Sequence, residues 1–87
     1  MKGGITMLSK LVSIDQIEIL ESNYIQVRQA TKVLEDGKEL GKNYHRHVLR
    51  PGDDLTNEDQ KVQAVARAVW TKEVIAAHKA TLAAQVL

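Results

Sequence analysis

The chain has 87 residues, a formal net charge of +1 and no cysteine. That length suits one small domain. The missing cysteines exclude disulfides and thiolate metal sites, and the near-neutral charge gives no whole-chain pull toward nucleic acid. Aromatic residues make up 3% and phenylalanine is absent, so Val, Ile, Leu and Ala must fill a thin core. Under that condition oligomerisation is an expected source of extra stability.

Residues 1–9 contain the adjacent Gly3 and Gly4 and little periodicity, which predicts a flexible lead-in. Residues 10–87 are then one small α+β domain. Lys2 is followed by no apolar stretch of the kind a signal peptide needs. No run approaches the roughly 20 apolar residues of a membrane span.

From Leu11 to Leu20 the composition is β-like, with Val12, Ile14, Ile17 and Ile19. Val12 and Ile14 alternate in one phase and Ile17 and Ile19 in the other, so a bulge or a strand covered on both faces is expected near Asp15-Gln16. Glu21-Ser22-Asn23 reads as a turn. A second strand runs from Tyr24 to about Glu35. Asp36-Gly37 is a strong hairpin signal, because a type I′ turn needs positive φ at both central residues. Continuous pairing from that turn sets Glu35 against Lys38, Val33 against Leu40, Gln29 against Tyr44 and Ile25 against Val48.

Pro51-Gly52 ends the third strand, and Asp53 and Asp54 fall in the connecting loop. Thr56-Asn57-Glu58-Asp59 reads as a helix start with Thr56 as the cap. Val62, Val65, Ala66 and Val69 recur at i, i+3, i+4 and i+7, a core-facing stripe. Thr71-Lys72-Glu73 reads as a second cap, followed by a helix from about Lys72 to Ala84 with Val74, Ile75, His78 and Leu82 on its inner side. Gln85, Val86 and Leu87 are expected to fray. The predicted fold class is α+β: a three-stranded antiparallel β-meander followed by two C-terminal α-helices packed on one sheet face.

Chemistry-bearing residues are few. His45 and His47 share a strand face, as two metal ligands would, but a site needs three or four donors. In the continuous register they face Arg28 and Gln26, away from the main apolar set, where a dication is disfavoured. Asp53 and Asp54 suit a turn before a helix cap better than a magnesium site. Strands two and three carry Arg28, Lys32, Lys38, Lys42, Arg46 and Arg50, with the cations divided between faces and only Tyr24 and Tyr44 as stacking platforms. Neither a Gly-x-Ser-x-Gly elbow, a His-Glu-x-x-His helix nor a phosphate-cradling glycine loop is present. Ser9, Ser13 and Ser22 have no predicted base neighbour. No catalytic, metal or cofactor residue is therefore assigned, and an enzyme is not expected. Trp70 is expected in the core, with an interface anchor as its other role. The candidate protein-interface residues are His45, Arg46, His47 and Trp70.

Several blocks also form a pattern: Ile25-Gln26-Val27-Arg28, Glu35-Asp36-Gly37, Tyr44-His45-Arg46-His47-Val48, Pro51-Gly52-Asp53-Asp54, Val62-Gln63-Ala64 and Glu73-Val74-Ile75-Ala76-Ala77. Over roughly residues 8–80 the chain resembles small uncharacterised proteins from tailed bacteriophages, especially aquatic ones, and from prophages. No site residue comes with that resemblance. It implies a non-enzymatic structural or accessory part of a phage particle, in the virion or in the host cytoplasm during assembly. The implied partners are copies of itself or other virion proteins. The alternatives are a small nucleic-acid-binding or regulatory protein using the basic strands, and a non-virion assembly factor for tail or fibre subunits.

Overall fold

The computed structural model describes residues 7–86. Three strands, β1 (Leu8–Ile19), β2 (Ile25–Glu35) and β3 (Lys38–Leu49), precede two helices, α1 (Gln60–Val69) and α2 (Lys72–Val86). The strands form an open antiparallel sheet in the order β1-β2-β3, and the helices follow on one face of it, as the α+β expectation has it. Residues 1–6 of the expected lead-in lie outside the described residues. Its last two residues belong to the sheet instead, with Leu8 opposite Glu35 and Ser9 opposite Leu34.

The β2–β3 turn follows its sequence signal. Asp36 has φ 50° and Gly37 φ 86°, the two positive angles a type I′ turn requires. Met7 is tied to the same turn: its amide donates to Asp36 Oδ1 at 3.1 Å, and the Asp36 amide donates to the Met7 carbonyl at 2.9 Å.

Two bulges decide which side chains reach the helices. In β1 the register shifts between Ile14 and Gln16, leaving Asp15 as the extra residue. Ile14 then falls opposite Gln29 and Ile17 opposite Val27, so both apolar phases of β1 reach the face that carries Ile25 and Val27. The second bulge corrects the expected β2–β3 register. Pairing shifts between Val33 and Leu34, where Glu39 faces Leu34 and Gly41 faces Val33, and Leu40 is the unpaired residue. Beyond it Gln29 faces His45 rather than Tyr44, and Ile25 faces Leu49 rather than Val48. One inserted residue moves every later β3 side chain to the other face.

The inner face therefore presents Ile25, Val27 and Leu49 to the helices, where they join Val62, Ala66 and Trp70 in the core. Ile14, Ile17, Leu55, Val65, Val69, Val74 and Ile75 pack around this cluster. Helix α1 buries Val62 and Ala66 of its apolar stripe. Its cap is Asp59, whose carboxylate accepts from the Lys61 amide at 2.8 Å, and not Thr56 as expected. Thr56 is engaged earlier in the loop, where its amide donates to Asp54 Oδ1 at 2.9 Å. Thr71 does cap α2, accepting from the Val74 amide at 3.2 Å. Leu82, expected on the inner side of α2, is 41% exposed.

The core occupies the end of the sheet away from the Asp36-Gly37 turn, and the molecule is long. The extents are 68 × 25 × 20 Å and the radius of gyration is 18.8 Å, against about 12 Å for a compact chain of this length. The hairpin end of the sheet extends past the helices with both faces bare.

Candidate functional site

The bulge at Leu40 relocates the histidines. His45 and His47 lie on the inner face opposite Gln29 and Val27, which corrects the expectation that they face away from the main apolar set. Their rings stack with centroids 6.4 Å apart. His47 Nε2 lies 2.8 Å from Glu58 Oε1, so strand β3 is tied to the loop that leads into α1. The Glu58 side chain is 18% exposed and that of His47 34%, which shelters this bond from bulk water. Arg46 is separated from both histidines by the pleat, on the outer face opposite Arg28.

Trp70 is a core residue, 7% exposed. Its indole N–H donates to the Asn23 carbonyl at 2.8 Å, so the ring anchors the β1–β2 turn to the end of α1. A partner would find almost none of it accessible. The sequence candidates thus separate into a tethered His47 with its neighbour His45, an outward Arg46 and an interior Trp70.

The acidic pair follows the turn reading. Asp53 Oδ2 accepts from the Arg50 amide at 2.8 Å. The Asp54 carboxyl is held below the ordinary carboxylate range by the Thr56 hydroxyl and then by the Thr56 amide. Each carboxylate is occupied by a local loop bond. Among the described residues no group of three or more His, Asp or Glu side chains is placed to hold a metal ion. No helix of the described residues is long and apolar enough to cross a membrane.

Two hollows flank the core. The larger, about 450 Å³, lies between the β1–β2 turn and α2 and is lined by Asn23, Tyr24, Val74 and His78 among others. Tyr24 and His78 meet edge to face there, with centroids 5.6 Å apart. The smaller, about 200 Å³, lies beside His47 and Glu58. Both are shallow and open.

The outer face differs from the expectation of divided cations. Arg28 faces Arg46 and Lys32 faces Lys42, with Ala30 opposite Tyr44 between the two pairs. Four of the six cations, Arg28, Lys32, Lys42 and Arg46, therefore gather on one face around a tyrosine. Asp15, the extra residue of the β1 bulge, binds Arg28 through two hydrogen bonds of 2.9 Å. That bond and the Arg28 charge hold the Asp15 carboxyl below its ordinary value against some desolvation, with Lys42 adding to the effect. The Lys32 ammonium lies 3.9 Å from Glu39. Arg28 also sits over the Tyr44 ring, 4.4 Å from its centroid, and Lys42 lies 5.5 Å from it. Gly41 was the available signal: a glycine inside a strand pattern often marks a bulge, and a bulge there shifts the whole cationic set.

The fold defines an open three-stranded antiparallel α+β domain with unpaired sheet edges. Comparisons with protein-family models, curated proteins and solved structures found no match for the chain.

Proposed function

We propose that this protein is a non-enzymatic structural or accessory part of a tailed phage particle that works through protein–protein contacts, beginning with its own self-association. The phage setting rests on the resemblance across residues 8–80. The contact mode rests on one observation: the hairpin end of the sheet is bare and apolar at its β1 edge. Met7, Leu8, Leu11 and Val12 are 69%, 66%, 54% and 55% exposed.

An edge strand offers unpaired amides and carbonyls that a neighbour completes by strand addition. The two edges differ in what they invite. Strand β3 carries Lys38, Glu39, Lys42 and Arg46 with a bulge at Leu40, features that discourage edge pairing. Strand β1 is regular from Leu8 to Ile14, with Leu8 and Val12 on the inner face and Leu11 on the outer. Two copies paired antiparallel about Leu11 set Lys10 opposite Val12 and Leu8 opposite Ile14, so no like charges oppose each other. The result is a continuous six-stranded sheet.

Light scattering on the purified protein is expected to show a dimer or larger assembly. The double substitution Leu11→Lys and Val12→Lys should give a monomer with unchanged circular dichroism, because both side chains are exposed. Mass spectrometry of particles should find the wild-type protein. A stable wild-type monomer absent from particles would overturn the proposal. Binding to a tail or fibre subunit without incorporation would mark an assembly factor instead.

A further inference from the structure

We infer that the outer sheet face is a binding site for single-stranded nucleic acid, with Tyr44 as a stacking platform and Lys42 and Arg46 as its phosphate contacts. The site does not depend on the self-association proposed above, since β1 pairing uses an edge and leaves this face open.

The first argument is charge placed at a cost. Arg28 directly opposite Arg46 and Lys32 directly opposite Lys42 are like-charged cross-strand pairs, which weaken a sheet. On β2 both cations have partners, Asp15 for Arg28 and Glu39 for Lys32. On β3, Lys42 and Arg46 have no carboxylate within 4.0 Å among the described residues. The outer-face cations without a direct ion pair are thus two on one strand, alternating with Tyr44, all three on the same face. A strand rises about 3.4 Å per residue, so the two cations stand roughly 13 to 14 Å apart with the ring midway. This alternation suits a chain that alternates phosphate and base.

The second argument is the ring itself. Tyr44 stands on the outer face and is 48% exposed. Its neighbour across the ladder is Ala30, which is 1% exposed. The Arg28 guanidinium lies 4.4 Å from the ring centroid. Stacking on such a ring tolerates any base, and an adjacent guanidinium adds to it. A duplex keeps its bases stacked inside and cannot use the platform. An acidic protein could use the charges but not the ring. The chemistry therefore favours a single strand, read without sequence preference.

Fluorescence anisotropy of labelled oligothymidylate, about 15 nucleotides long to cover one small domain, tests this with the full chain. Binding at low salt and a steep loss as salt rises are expected. Tyr44→Ala should weaken binding roughly 5- to 150-fold, the range that removing one stacked base spans, while Tyr44→Phe retains it. Lys42→Gln with Arg46→Gln should lower the salt slope by about 1.4. Lys72→Gln with Lys79→Gln on α2 should change nothing, and the Leu11→Lys, Val12→Lys variant should still bind. Circular dichroism checks that each variant is folded. Three outcomes overturn the inference: no anisotropy change at low salt, equal binding by folded Tyr44→Ala, or polyglutamate or duplex bound as tightly as the single strand.

Discussion

Asp15 owes its partner to being the odd residue in its strand. The bulge leaves it outside the ladder, free to meet Arg28 through two bonds of 2.9 Å. Its carboxyl sits below the ordinary value of 3.8, chiefly through the Arg28 hydrogen bond. A depressed carboxylate contributes stability that is complete above the unfolded-state value and is lost as pH falls through the folded value. The wild type should therefore melt above Asp15→Asn at pH 6. That gap should narrow once the pH drops below 3.8, and a gap of constant size from pH 6 to pH 2.5 would refute the assignment. Trp70 shows a different use of one side chain. Its ring fills the core while its N–H satisfies the Asn23 carbonyl at 2.8 Å, in a turn where Asn23 itself holds φ 70°.

At the scale of elements, the bulges are the decisive feature. Sequence alternation located the first, because Val12, Ile14 and Ile17, Ile19 change phase around Asp15, and the two phases have to be reconciled by one extra residue. The second had no such mark beyond Gly41, since both possible registers of β3 place some apolar residues inward. Val48 and Tyr44 served that role in the sequence reading, but Leu49 and His47 take it in the fold. Deleting Leu40 removes only the unpaired residue and leaves Val33 opposite Gly41 and Ile25 opposite Leu49, so urea unfolding should stay within about 1 kcal/mol of wild type. Leu40→Ala keeps the bulge and its side chain is already 59% exposed, so it should stay within about 0.5 kcal/mol of wild type. A loss of about 2–5 kcal/mol on deleting Leu40, the range for emptying a buried leucine site, would show that Leu49 had left the core and refute the register. The helices differ in the same spirit. Helix α1 is held by its buried stripe, whereas α2 has Ala76, Ala77, Ala80, Ala83 and Ala84, whose helix propensity sustains it with little packing.

For the whole molecule, the core is confined to one end of the sheet, and the longest extent is 68 Å. Residues 79–85 of α2 are exposed. A chain ending at Lys79 should unfold within about 0.5 kcal/mol of the full chain, as surface changes do, and should keep the same assembly state in light scattering, because the β1 edge is untouched. A large loss of stability would mean that α2 is held by more than Val74 and Ile75.

By itself the sequence determined the number and order of strands and helices, the Asp36-Gly37 turn and the phase change near Asp15-Gln16, and it favoured the core for Trp70. Those follow from local backbone preference and from apolar spacing within one element, which are properties of short segments. Only the tertiary structure decided which face of β3 meets the helices. That choice depends on the pairing between strands, where a single unpaired residue at Leu40 carries His47 inward to Glu58 and sends Tyr44, Lys42 and Arg46 outward. Period-two geometry makes the two answers equally good locally, and packing of Leu49 beneath α1 selects between them.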